Sequence, residues 1–144
     1  MKKIKITSGA YTFIARLEEE KSPESCRWLL SMLPWTDSMI HVSWSGNACF
    51  FRLQDRAWSV PYEGSPIRFP SKGEVLLYPG NQPDLQMGGE LYFAWGPNAF
   101  SCGNGNLSGN HVLTIESGLE NLEEFGKKVH IEGHQETKLE LIEK

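Results

Sequence analysis

The sequence has little positive charge and no long apolar run. Lys and Arg number 14 against 18 Asp and Glu, which gives a net charge of −4 and a pI near 5.6. Without a basic surplus to neutralise phosphates, general nucleic-acid binding is excluded. No stretch approaches the ~18 apolar residues of a membrane helix, and no apolar segment follows Met1-Lys2-Lys3 as it would in a signal peptide. We therefore expect neither a nucleic acid nor a membrane as partner.

Cysteine and the signatures of metal and cofactor sites are also scarce. Cys26, Cys49 and Cys102 form an odd set without a C-x-x-C pair, which favours buried free thiols and a reducing, cytoplasmic location. His130 and His134 would suit zinc only on a helix, and Gly133 favours a strand and turn in that segment. No phosphate-binding loop with its Lys and no G-x-S-x-G elbow is present. The sequence thus predicts no metal and no cofactor.

Hydrophobic and aromatic residues are plentiful. Hydrophobic residues make up 40% and aromatic residues 11% of the 144 residues. This is enough for a single domain, residues 1–144, whose core is stable without disulfides or a structural metal. Alternation of apolar and polar residues predicts strands at 3–7, 11–17, 38–44, 48–53, 74–78, 90–95, 111–115, 129–131 and 137–142. We therefore expect a mainly β fold.

Two short helices should interrupt the strands. One begins after Ser22, a helix-capping residue, and ends before Pro34. The other begins at the capping-box pattern of Ser117 and Glu120 and ends at Gly126. Strands this numerous, separated by turns, suggest a closed barrel of about eight strands whose ends are covered by the helices.

Three motifs resemble those of a bacterial cyclophilin-like family of unknown function. They are W-S-G-N-A-C at 44–49, G-E-V-L-L-Y-P-G at 73–80 and G-N-H-V-L-T-I at 109–115. The family usually has Glu where Asn47 stands here. The opening hairpin and first helix are also similar to the start of the cyclophilin fold. The resemblance implies a cyclophilin-like barrel over nearly the whole chain.

The same resemblance implies that conventional prolyl-isomerase chemistry is absent. Cyclophilins carry a catalytic Arg in an F-H-R strand, where this chain has the segment Ile40-His41-Val42-Ser43-Trp44. That Arg polarises the twisting peptide bond, a stabilisation aimed at the transition state. We expect ligand binding without this catalysis. A weak or altered isomerase and a subunit of an amide- or lactam-hydrolysing enzyme stay as alternatives, so whether the chain is an enzyme is left open.

The expected ligand is a small molecule or a peptide in a groove on the barrel side, and homo-oligomers are compatible with such a site. Glu74 and Glu90 each begin a strand and could converge on a cationic or amine-bearing ligand. His111 alternates with Leu113 and Ile115, which predicts a ring facing the interior or its mouth. The structural alternatives are solvated carboxylates, a bonded core histidine and packed aromatic rings. The candidate ligand-binding residues are His41, Trp44, Glu74, Tyr78, Glu90, Tyr92, Trp95, Asn110 and His111.

Overall fold

A computed structural model describes residues 2–80, 88–102 and 105–143. The barrel strands are β1 Lys3–Ser8, β2 Tyr11–Leu17, β3 Trp35–His41, β4 Gly46–Gln54, β5 Glu74–Tyr78, β6 Gly89–Asn98, β9 Asn110–Ser117 and β10 Gln135–Glu143. The remaining elements are β7 Ser101–Cys102, β8 Gly105–Asn106, α1 Pro23–Met32, a 3-10 turn at Leu119–Asn121 and α2 Leu122–Glu132. The eight barrel strands close in the order β1-β10-β3-β4-β6-β5-β9-β2, each antiparallel to its neighbours. The predicted mainly β barrel with two helices is confirmed.

Strand alternation produces two apolar layers. The inward side chains of β4 and β6, such as Phe51 and Phe93, fill the barrel together with the inner faces of both helices. The outward side chains of β4, β5 and β6 are apolar as well, and they are buried beneath the segment that contains Phe100 and Leu107. The two faces of this part of the barrel are thus both covered, which explains how a polar group on its outside can be buried.

The second helix is longer than the sequence predicts. Gly126 does not end it, because α2 continues to Glu132 and includes the segment 129–131 that alternation assigned to a strand. A Cβ at Gly126 would lie 2.2 Å from a ring carbon of Trp95, so glycine is required here for close packing of the helix on the indole. The helix ends at Gly133, whose φ is 98°. Both sequence assignments in this segment are corrected.

The third strand is shifted relative to its prediction. It runs from Trp35 to His41, and the chain then turns, so that Trp44 lies beyond the strand and is 57% exposed. Residues 81–87 and 103–104 lie outside the described residues. Neither helix in the described part of the chain combines the length and apolarity needed to cross a membrane.

Candidate functional site

One buried carboxyl group on the outer face of the barrel has no partner. Glu90, near the start of β6, is in register with Arg52 on β4 and with Tyr78 on β5. It is 2% exposed, and neither of its carboxyl oxygens has a hydrogen-bond partner among the residues that the structure describes. Buried carboxyl groups are nearly always paired, so an unpaired one marks a candidate binding site.

The surroundings of Glu90 disfavour its charged form. Burial raises the pKa of Glu90 to about 8, and the positive charge of Arg52 offsets only part of this effect. At neutral pH the carboxyl is therefore largely protonated, and can both donate and accept a hydrogen bond. Arg52 is exposed, and its guanidinium forms no ion pair with any carboxylate in the described ranges.

A cavity of about 500 Å³ lies against Glu90. Its lining residues are Trp44, Phe50, Arg52, Gln54, Gly88, Gly89 and Glu90. The rings of Trp44 and Phe50 meet edge to face, with their centroids 6.5 Å apart. Cavities of this volume that combine aromatic walls with a few polar groups are typical of small-molecule sites.

A glycine fixes the position of Glu90. A Cβ at Gly89 would lie 2.6 Å from the carbonyl oxygen of Tyr78, so the backbones of β5 and β6 approach too closely for any side chain. This close approach accompanies the pairing of Glu90 with Tyr78 in the ladder between β5 and β6.

The two tyrosines predicted for the site have different roles. Tyr78 is fully buried, and its hydroxyl has no hydrogen-bond partner in the described part of the chain. Burial raises the pKa of Tyr78 to about 12, with Tyr62, Cys102 and Glu90 adding to the shift. Tyr92 instead donates its hydroxyl hydrogen to Asn98 Oδ1 at 2.8 Å. Tyr78 therefore neighbours Glu90 as a second unpaired polar group, whereas the polar end of Tyr92 is used by the fold.

His111 lies in a second cluster, because a β-bulge changes the alternation of β9. Val112 is the extra residue, and His111 pairs with Leu76, whose side chain belongs to the outer layer. Leu113 remains in the inner core. Of the two predicted placements, the barrel interior or a pocket at its mouth, the first does not hold for this reason, and the ring instead lines a cavity beside Lys21 and Glu63.

The outer position of His111 places it in a chain of hydrogen bonds. Lys21 Nζ lies 3.3 Å from Nδ1 and donates to it, so the ring proton is on Nε2, which donates to Thr114 Oγ1 at 2.8 Å. Thr114 in turn donates to Glu18. Burial lowers the pKa of His111 despite the nearby carboxylates of Glu74 and Glu18, so the ring is neutral at pH 7.

The carboxylate at the end of this chain remains charged. Burial opposes the ionisation of Glu18, but the hydrogen bond from Thr114 and the positive charges of Arg16 and Lys21 outweigh it and lower the pKa of Glu18. Arg16 Nε also donates to Glu18 at 3.0 Å. Every polar atom of the His111 ring is therefore bonded within the fold.

Glu74 and Glu90 do not converge, contrary to the sequence-based expectation. Glu74 pairs with Thr114 at one end of β5, and Glu90 pairs with Tyr78 at the other. The two ends of β5, Glu74 and Tyr78, are four residue steps apart, a distance of about 13 Å along the strand. Glu74 accepts a hydrogen bond from Ser71 N at 2.6 Å and lies 3.8 Å from His111 Nε2.

Asn110 is bonded to α1 and to the loop that contains Pro61 and Glu63. Its Oδ1 accepts from Glu63 N, and its Nδ2 donates to Ser25 Oγ and to Pro61 O, all at 2.9 Å. Glu63 accepts from the backbone N–H groups of Glu24 and Ser25, so it caps α1 in place of Ser22, which makes no side-chain cap. A second cavity, of about 480 Å³, lies between Lys21, Glu63 and His111.

His41 and Trp95 meet at another part of the barrel. Trp95 Nε1 donates to His41 Nε2 at 3.2 Å, and His41 Nδ1 lies 3.1 Å from Ser43 Oγ. The His41 ring also stacks on His130, with centroids 4.2 Å apart. Burial and then His130 lower the pKa of His41 to about 4. Across the described ranges, no three His, Cys, Asp or Glu residues are grouped as metal ligands.

The structure thus divides the predicted residues among three places. Of the nine, Trp44 and Glu90 line the first cavity, with Tyr78 adjacent. Sequence reasoning missed Arg52 and Gln54, which line the cavity because β4 pairs with β6. The period-2 pattern of β4 places both residues on its outer face, but it does not reveal which strand lies alongside.

Comparisons with known proteins give a family and a fold. A family model described as a protein of unknown function, DUF3830, matches residues 4–141. No curated protein matches the chain. A solved structure of McbB in complex with tryptophan has a similar fold, with a TM-score of 0.68 at 20% identity. The match covers 95% of this chain and 44% of McbB, so the chain spans less than half of that neighbour.

Proposed function

The chain belongs to the DUF3830 family of proteins of unknown function, and we propose that it binds a small molecule in the cavity beside Glu90. The observation that carries the proposal is the Glu90 carboxyl, which is buried at a cavity wall and has no partner for either oxygen within residues 2–80, 88–102 and 105–143. A hydrogen-bonding group of the protein would normally offset the cost of burying a carboxyl. A ligand in the cavity can supply those hydrogen bonds to Glu90 instead. The similarly folded McbB, solved with tryptophan, is consistent with a small-molecule ligand.

The binding proposal does not include conventional prolyl isomerisation. The cyclophilin-like assignment is part of the proposal, supported by the closed barrel of eight strands with two helices. The segment 40–44, which the resemblance compares with the catalytic F-H-R strand, contains no Arg, and its His41 accepts a hydrogen bond from Trp95. A coupled prolyl-peptide assay should therefore give rates far below those of ordinary cyclophilins. Comparable rates would instead support the isomerase alternative.

A metabolite screen by thermal shift tests the binding site itself. Compounds that raise Tm are measured by calorimetry on the native protein and on the variants Glu90→Gln and Trp44→Ala. We expect both variants to weaken binding about tenfold or more, because each removes a wall or a polar contact of the cavity. Glu136→Gln on β10 is the matched control, since its exposed side chain lies on the opposite part of the barrel. Hits whose affinity neither site variant alters would place the binding site elsewhere.

A further inference from the structure

The cavity contains one acidic and one basic group of its own. Glu90 and Arg52 are directly opposed on β6 and β4, a position that brings Cβ atoms to about 5 Å. Despite this proximity, the guanidinium nitrogens of Arg52 lie more than 4.0 Å from every carboxylate oxygen of the described residues. The two groups share the cavity without neutralising each other, so each remains able to contact a ligand.

The Glu90 end of the cavity matches an ammonium group. A primary ammonium supplies three N–H donors and a positive charge, whereas a hydroxyl supplies one donor and no charge. A buried, ionised carboxylate needs both hydrogen bonds and a counter-charge to offset its desolvation. An amine can therefore serve both unpartnered oxygens of Glu90, which a neutral hydroxyl cannot.

The Arg52 end of the cavity favours a carboxylate beside that amine. A simple amine bound at Glu90 would be repelled by the neighbouring guanidinium. A carboxylate attached next to the amine removes the repulsion and can accept two parallel hydrogen bonds from Arg52. Trp44 and Phe50, the aromatic walls, would contact an apolar side chain.

We propose that the ligand is an α-amino acid with an apolar side chain, whose ammonium group is bound by Glu90 and whose carboxylate is bound by Arg52. This inference rests on the proposed function, because it names the ligand class of the same cavity. The charges of ligand and cavity then cancel in pairs, and the apolar side chain lies against Trp44 and Phe50.

Binding of an ammonium group should release a proton. Glu90 has to ionise, and its pKa is about 8 before binding. The charged or titratable groups that face it from β4, β5 and β6 are Arg52, Tyr78 and Tyr92; burial raises the pKa of both tyrosines, and Arg52 stays charged. Glu90 alone among them titrates between pH 6 and pH 8. Affinity should therefore rise about tenfold from pH 6 to pH 7.

Calorimetry with two matched series tests the inference. The first is phenylalanine, phenethylamine and 3-phenylpropionate; the second is leucine, isopentylamine and 4-methylpentanoate. We expect each amino acid to bind about tenfold or more tightly than the analogue that lacks its amine or its carboxylate. Glu90→Gln should weaken the binding of the amino acids and abolish the pH dependence of their affinity. Arg52→Gln should remove the higher affinity of each amino acid over its simple amine. Glu136→Gln should change neither result.

The outcomes separate this inference from the function on which it rests. If the amino acids bind no better than their analogues, or if Glu90→Gln leaves the pH dependence intact, the inference is wrong. The proposed function then survives if another small molecule from the thermal-shift screen depends on Glu90 and Trp44. If no ligand depends on those two residues, both proposals fail.

Discussion

Asn110 and Glu90 are both buried polar side chains on barrel strands, but only one of them has partners. Asn110 is 0% exposed and makes three hydrogen bonds, which join β9 to α1 and to the loop before β5. Glu90 is 2% exposed and makes none through its carboxyl. Sequence reasoning placed both in one binding site. The difference teaches that burial alone does not mark a candidate binding group, whereas burial without partners beside a cavity does.

The largest effect is expected from the satisfied member of the pair. Asn110→Ala removes three hydrogen bonds and leaves Ser25 and the Pro61 carbonyl without their partner. We expect the free energy of unfolding to fall by about 3 kcal/mol. Urea denaturation monitored by circular dichroism measures it, and Asn106→Ala, at an exposed position of β8, is the control. A loss below about 1 kcal/mol would remove the structural role assigned to Asn110.

The second effect has the opposite sign and depends on pH. Glu90 titrates near 4.5 when unfolded and near 8 when folded. Between these values the folded state keeps a proton that the unfolded state has released, so stability is fully present below pH 4.5 and is lost as pH rises through 8. Glu90→Gln removes this titration. The free energy of unfolding of the variant, relative to that of the native protein, should therefore rise by about 1 kcal/mol per pH unit between pH 5 and pH 7.

Chemical denaturation at a series of pH values checks this expectation. For Glu136→Gln, which replaces an exposed carboxylate, the free energy of unfolding should change with pH in parallel with that of the native protein. A parallel curve for Glu90→Gln would mean that the Glu90 carboxyl is ionised and compensated in the fold. In that case the contrast with Asn110 disappears.

A third, smaller effect concerns the chain that holds His111. Thr114→Val leaves the Nε2 proton of His111 and the carboxylate of Glu18 without the hydroxyl that joins them. We expect a loss of about 1–2 kcal/mol at pH 7 in the free energy of unfolding. Thr36→Val, at an exposed position on β3, should change it little. If Thr114→Val instead weakens ligand binding and leaves stability intact, the His111 cluster belongs with the binding site.

Local patterns in the sequence were sufficient for most of the barrel. Period-2 alternation located β1, β2, β4 and β5 to within a few residues, and the segment between Ser22 and Pro34 contains α1 as predicted. The pattern failed where tertiary contacts decide. Gly126 indicates a helix end by propensity, yet it lies within α2 because Trp95 packs against it.

The candidate site was less predictable because it depends on which strands are neighbours. Glu90 and Trp44 were found from a strand start and from a motif, but their cavity is completed by Arg52 and Gln54 through the pairing of β4 with β6. The alternation of His111 with Leu113 and Ile115 did not show that His111 lies on the other face, since a one-residue bulge reverses every later position of a strand. Neither strand partners nor bulges leave a local signal in one sequence.

The smallest effect on stability should accompany a clear effect on binding. Trp44 and Trp58 are 57% and 54% exposed, but only Trp44 is among the residues that line the cavity beside Glu90. Because more than half of the surface of each residue is exposed, Trp44→Ala and Trp58→Ala should each lower the free energy of unfolding by about 1 kcal/mol or less. Calorimetric affinity for a ligand found in the screen should fall for Trp44→Ala alone. Equal loss of affinity in both variants would show that general surface hydrophobicity, not the wall of this cavity, holds the ligand, and Glu90 would then need another explanation for its missing partners.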